Sequence, residues 1–554
     1  MDIRSLPETI LFDVYTKLYH RGRLCVLGLE FSDLTVFSRM LKVSNNWVML
    51  IKCFQALMNH GTRVAMDLAN DFAIRCSIDC RSQAIKESTI DLGIRLGGFL
   101  SEAGWFEESI KVLSLCRDAC CSDLPQNVEG WMKTLECCQK LLHAQVIYSQ
   151  IEAAGATKEF AEGIVQELKA ANHTMNLAGL YSEFSFYAFQ ISNYNQAYKW
   201  SVDAVMELGP HTCPRVMVDT LSQASKACVV KREFRKASVL VRQAVYLARE
   251  IFGDKHPKFA DTLLDYGYCL LNSDSIKDSV TVYERALRLK EAVFGPCNLY
   301  VAVAHEDLAY ALYVHEYSSG RFSPARQHAE DAIGIMVQLL PEEHLMLTSA
   351  QRVKALILEE IALDNIPGNS SETLFKEAKL FAQAEKLHKD ALRLGRLSFG
   401  ENNVQTSKHY GNLGRLYQSM KRYEEAEMMH LKAIELKENL LGKDDYEVGL
   451  SIGHLASLYN YHMKEYRKAE TLYYRSIKIS LKLFSETYSG LEYDYRGLMH
   501  VYNALGDAVK VSNLVNTMSR WKRLREAHKL RESAPLALSG APVSLQELQQ
   551  LMTA

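Results

Sequence analysis

The sequence predicts an all-α fold, a right-handed superhelical solenoid of paired helices. Three observations predict it: a repeat of about 42 residues, apolar residues at helical spacing within each repeat, and scarce proline. Only 11 of 554 residues are proline, where average usage would give about 25–30. The 48% hydrophobic and 23% charged content excludes a disordered or fibrous chain. Lys+Arg 64 against Asp+Glu 66 leaves no bulk field for nucleic acid, so no nucleic-acid partner is expected. No apolar run is long enough to span a bilayer, and the N-terminus lacks a secretory core. Thirteen cysteines, single or in adjacent pairs, read as reduced thiols of the cytoplasm and nucleus.

Residues 1–50 read as an N-terminal helical cap. Its SLPETILFDVYTKL segment sets Leu6, Pro7, Ile10 and Val14 on one helical face, with Ser5 as N-cap. Residues 51–175 read as divergent repeats, marked by Leu96-Gly97, Ser109 and Cys116, with one degenerate unit over about 125–170. The main array is 176–515. Leu413-Gly414 recurs as Leu455-Ala456, 42 residues on. Ala384, Ala426 and Ala469 repeat the small position of the second helix, as do Ala237 and Ser279. Phe252-Gly253, Phe294-Gly295 and Phe399-Gly400 mark unit boundaries, and the polar stretch Asp364–Thr373 reads as a surface loop. Small residues let paired helices cross closely, and stacking buries apolar stripes that no single pair can cover. Residues 516–554 read as a basic helix around Trp521 (Arg520, Lys522, Arg523, Arg525, Lys529, Arg531) and a flexible tail.

No Walker loop, nucleophile elbow or H-E-x-x-H occurs, so no enzyme, cofactor or metal is expected. Cys76…Cys80 and Cys116…Cys120 lack zinc-knuckle spacing, and Cys116 stands where other units place alanine. His305, His409, His454 and His500 recur on first helices and read as packing or groove residues. In the tetratricopeptide repeat, which this pattern resembles, the first helices face the concave side. Counting from each Leu-Gly landmark turns Asp261, Asp265 and Tyr268 inward, then Glu306, Asp307 and Tyr310. Asn412 and Arg415 follow, then His454 and Asn460. Four carboxylates between tyrosines suit an arginine-bearing peptide, by bidentate pairing and cation–π attraction. Asn412 and Arg415 would hold peptide backbone or a C-terminal carboxylate. The alternative is that these acids are solvated, or paired with Lys and Arg of the next unit.

The L-G-x2-Y…A spacing resembles the tetratricopeptide repeat, and the 42-residue unit its long-helix kinesin-light-chain form. The Leu6-Pro7-x2-Ile10-x3-Val14 pattern resembles a cullin box. Strings such as GDKHPKFADTLLDYGYCLLN (Gly253–Asn272) and AHEDLAYALYVHEYSSGRF (Ala304–Phe322) go beyond the generic repeat. With them, the chain is similar to tetratricopeptide-repeat substrate receptors of cullin-2 RING ubiquitin ligases. The resemblance implies an adaptor that captures C-terminal Arg-x-x-Gly degrons for ubiquitination and proteasomal degradation, with cullin-2 and elongin B/C as partners. It also implies binding to cytoplasmic tails of membrane proteins such as the amyloid precursor protein, and association with microtubules. The alternative function is therefore a microtubule-associated transport adaptor for membrane cargo; a homodimer is left open. The family's elongin-binding box precedes D-I-R-S-L-P, and this sequence starts within that junction. Either the start is internal or this form does not join the ligase by that route, so the elongin contact is doubtful.

Overall fold

A computed structural model describes residues 3–43, 47–78, 83–121, 128–173, 175–317, 319–364, 371–532 and 542–553. The N-terminal cap holds α1 (Glu8–His20), α2 (Leu24–Phe31), α3 (Leu34–Met40), α4 (Trp47–Asn59) and α5 (Val64–Ile78). Helix pairs follow: α6–α7 (Gln83–Glu102, Phe106–Cys121), α8–α9 (Val128–Ile147, Ile151–Ala170), α10–α11 (Ala178–Gln190, Tyr194–Met206) and α12–α13 (Pro214–Val230, Phe234–Phe252). Next come α14–α15 (Pro257–Asn272, Ile276–Phe294), α16–α17 (Leu299–Glu316, Ser323–Leu339) and α18–α19 (Leu345–Asp364, Ser371–Phe399). The series continues with α20–α21 (Val404–Ser419, Tyr423–Leu441), α22–α23 (Tyr446–Ser457, Tyr466–Leu483) and α24–α25 (Leu491–Leu505, Ala508–Glu532), and closes with α26 (Leu545–Thr553). No strand occurs among the described residues. The polar loop expected at 364–373 lies largely outside them, since 365–370 are not described.

The crossing of each pair explains the recurring small residues. Ser109 Oγ donates to the Gly97 carbonyl (2.7 Å) and Ser279 Oγ to that of Gly267 (2.8 Å). In two other pairs the direction reverses: Ser185 and Ser225 donate to the carbonyls of Ala197 and Ala237. A serine at the small position thus binds the facing helix without leaving its hydroxyl unsatisfied. The glycine makes room for the large residue one turn further on. A Cβ on Gly267 would lie 2.7 Å from the Tyr283 ring, and one on Gly414 2.8 Å from His430. Gly267→Ala is therefore expected to cost about 1–3 kcal/mol through overpacking, measurable by chemical denaturation.

The superhelix is wound tightly enough that successive turns touch. Asn403 Nδ2 donates to the Ile191 carbonyl (2.9 Å), a contact spanning 212 residues, or about five repeats. Asn298 bridges Gln55 and the Ala103 carbonyl at 2.9 and 2.8 Å. Asp274, on the α14–α15 turn, accepts from the Ser489 backbone and from Arg525 (2.7 Å). Phe234 stacks on Phe484 at 5.3 Å. The basic helix is therefore partly spent on closure, because Arg525 serves this contact and Trp521 is buried, donating to the Tyr488 carbonyl.

The chain end differs from the flexible tail expected of it. Helix α26 buries Leu548 and Met552 against α11 and α13. Gln549 Nε2 donates to the carbonyls of Val205, Met206 and Leu208 at 3.1–3.3 Å, filling acceptors left open where α11 ends. Residues 533–541 lie outside the described residues. No described helix is long and apolar enough to cross a membrane.

Candidate functional site

Because the turns touch, the inner face encloses an axial cavity of about 930 Å³. The first helices of eight consecutive pairs, α6 to α20, supply most of its wall, and α15 and α19 add Lys290 and Phe399 among others. Asp261, Asp265, Tyr268, Glu306 and Asp307 all line it.

Most acids on this wall have a cation. Lys290, itself 1% exposed, donates to Asp261 Oδ1 at 2.5 Å. Burial would raise the Asp261 pKa, but Lys290 and Lys258 hold the carboxyl below its ordinary value. Lys226 lies 3.3 Å from Asp265, Arg215 2.7 Å from Glu102, and Lys258 pairs with Asp219. Asp261 and Asp265 are thus neutralised internally, by cations of their own and of the preceding unit and not of the next one.

Glu306 and Asp307 break the pattern. Glu306 has no ion pair among the described residues; burial raises its pKa against the hydrogen bond from Ser349 Oγ (2.6 Å) and the more distant charge of Arg352. Asp307 has no hydrogen-bond or ion-pair partner among the described residues. Burial, then the neighbouring Glu306 and Asp265, pushes it up to about 8. One residue that the landmark count missed stands on the next inner helix. Arg352 of α18 lines the same cavity and lies over the Tyr310 ring at 5.9 Å, without an ion pair among the described residues. The stretch RVKALILEE carries no Leu-Gly landmark, so nothing in the repeat register marked it.

The remaining inward residues do not line the cavity. Tyr310 is 37% exposed and stacks beside Tyr313, and Asn412 is half-buried on α20. Arg415 is already spoken for: its guanidinium donates to Glu359 (3.2 Å), Glu360 (3.0 Å) and the Tyr313 hydroxyl. It is an interior ion-pair residue, not a free carboxylate clamp. His454 packs near His430 and Tyr493, and burial followed by Arg415 keeps its imidazole well below the ordinary value. Asn460 is fully buried. It sits in a π-helical turn, Leu458–Met463, donates to the Gly497 carbonyl (3.0 Å) and accepts from His500 (2.8 Å). The wider winding of that turn shifts the face on which Asn460 falls.

At the N-terminus, Leu11, Phe12 and Tyr15 bury one side of α1. Leu6 and Val14 are half-buried, Pro7 is exposed and Ile10 is 50% exposed. Arg39 holds the entry to α1 by donating to the carbonyls of Arg4 and Leu6, so the apolar face is presented from a fixed segment.

A tetratricopeptide-repeat family model matches residues 366–439 and 405–482. Among solved structures, a Rap protein complexed with competence and sporulation factor superposes with a TM-score of 0.52 at 12% identity, covering 72% of this chain and 99% of that one. That likeness concerns the fold alone. Amyloid protein-binding protein 2 of Mus musculus is 52% identical over 550 residues, covering 99% of this chain and 93% of the relative. The Rattus norvegicus protein of the same name matches at the same identity and coverage. At that identity, sustained from the N-terminal cap to the last helix, the chain belongs to the amyloid protein-binding protein 2 family.

Proposed function

We propose that the chain is a non-catalytic adaptor that seats the C-terminal peptide of a substrate protein in the axial cavity, for ubiquitination by a cullin-2 ligase. The observation that supports this is the carboxyl pair Glu306 and Asp307, which has no ion pair among the described residues, on a wall whose other acids are paired. A guanidinium entering there recovers the cost of two half-buried acids. Arg352, on the adjoining helix, suits the terminal carboxylate of the same peptide. An Arg-x-x-Gly terminus offers both groups. The half-exposed face of Leu6, Pro7, Ile10 and Val14 is the proposed cullin-2 contact.

The test is fluorescence anisotropy with an Arg-x-x-Gly peptide. Glu306→Gln with Asp307→Asn is expected to weaken binding about 10- to 100-fold, roughly 1.4–3 kcal/mol. Affinity should also rise with pH up to about 8, since Asp307 holds a proton below that value and cation binding expels it. Equal affinity of the double variant, or of a peptide with Arg replaced by Ala, would sink the reading. The relatives' printed name favours one part of a second reading, binding of an amyloid protein; in that reading its tail enters the cavity as cargo of a transport adaptor on microtubules. It predicts binding of such a tail without need of a C-terminal Gly.

A further inference from the structure

The pair of helices behind the carboxyl pair carries a second cluster of a different kind. His328 and Asp331 stand three residues apart on α17 and so share one face. His305, the residue before Glu306 on α16, reaches them from the neighbouring helix. One ligand atom from each of the three side chains lies within 4.8 Å of the other two. The two histidines meet through Nδ1 atoms 2.9 Å apart.

We propose that His305, His328 and Asp331 form a binding site for a divalent transition-metal ion, zinc foremost, that ties α16 to α17. Two imidazoles and one carboxylate are a borderline ligand set, suited to zinc and not to calcium or magnesium. With zinc–nitrogen bonds of about 2.0–2.1 Å, two nitrogens of a tetrahedral site lie about 3.3 Å apart, so the rings must part by only a few tenths of an ångström. Outer partners are already present. Glu291 Oε1 lies 3.6 Å from His305 Nε2, behind the ring. Gln327 Nε2 donates to Asp331 Oδ1 at 2.9 Å, which leaves Oδ2 for the metal. Such contacts set ring tautomer and carboxylate orientation in metal sites. The fourth position falls to water. The plain alternative is a hydrogen bond between two neutral imidazoles, which needs no ion.

Sequence spacing hides this site because its two histidines lie 23 residues apart on two helices. The proposal does not rest on peptide binding, although a metal on His305 would fix the helix that presents Glu306 and Asp307.

The test uses the untagged full chain, stripped with chelator and kept reduced. Zinc affinity is measured by competition with a chromophoric chelator, and the thermal midpoint with and without zinc. The expectation is one tight equivalent, weakened about 100-fold by His328→Asn with Asp331→Asn and about tenfold by Glu291→Gln. Zinc should raise the midpoint of the wild type but not that of the double variant. Thirteen thiols could also take zinc, so cobalt(II) substitution supplies a readout independent of any variant. A four-coordinate visible spectrum without a thiolate charge-transfer band is expected. Affinity weaker than about 10 μM, tight binding retained by the double variant, or a thiolate band from the tight equivalent overturns the proposal.

Discussion

Between about pH 7.5 and pH 5 the folded chain is expected to lose about 4 kcal/mol of stability through two buried histidines, His409 and His430. Burial, then Arg352 and Lys408, holds the His409 imidazole down to about 3; burial, then Arg415 and Lys437, does the same for His430. Neither ring nitrogen of His430 has a hydrogen-bond partner in the protein, nor does Nδ1 of His409. Around them, His388 and His454 are also pushed well below the ordinary value, and the charges acting on His409 and His430 are cations. The folded state therefore binds fewer protons than the unfolded chain, whose histidines titrate near 6.5. The stability is fully present above that value and is lost as pH falls from there toward 3. At pH 5 each histidine accounts for about 2 kcal/mol. Urea denaturation at both pH values checks this, with His430→Leu expected to reduce the loss between them by about 2 kcal/mol. An identical pH dependence in the variant would refute the assignment.

The second large effect is expected at Arg415. Its guanidinium joins Glu359, 2% exposed, to Glu360 and to the Tyr313 hydroxyl, bringing α16, α18 and α20 to one point. Arg415→Met strands two carboxylates away from water, and a cost of about 3–5 kcal/mol is expected. The cause is separable from lost packing. Adding Glu359→Gln and Glu360→Gln to the same chain removes the stranded charge and should recover most of the loss in equilibrium denaturation. If the triple variant is no more stable than Arg415→Met, the effect is not electrostatic.

The helical pairs and their crossings were legible from the period, because Gly267 and Ser279, or Gly414 and Ala426, repeat a contact made within one unit. The inner face was legible only where that register is regular: Asp261, Asp265, Tyr268, Glu306 and Asp307 line the cavity. It failed at Asn460, where the π-helical turn alters the residue-to-face relation, and it passed over Arg352, whose helix bears no landmark. Arg415 faces the acids of α18, and nothing in its own unit signals a partner 55 residues upstream. Turn-to-turn closure was the least legible feature. It depends on a small rotation per repeat, accumulated over about five units, and no local pattern encodes that sum.

Closure also changes how the chain should come apart. A repeat array whose units touch only their neighbours behaves as a one-dimensional chain, able to fray from either end while the middle persists. Here Asn298 with Ala103, Asn403 with Ile191, and Asp274 with Ser489 tie each winding to the next. Losing one unit then removes footing from another some 200 residues away. The molecule should melt as a block, and the α26 segment, fastened across α11 and α13, closes that block at its open end.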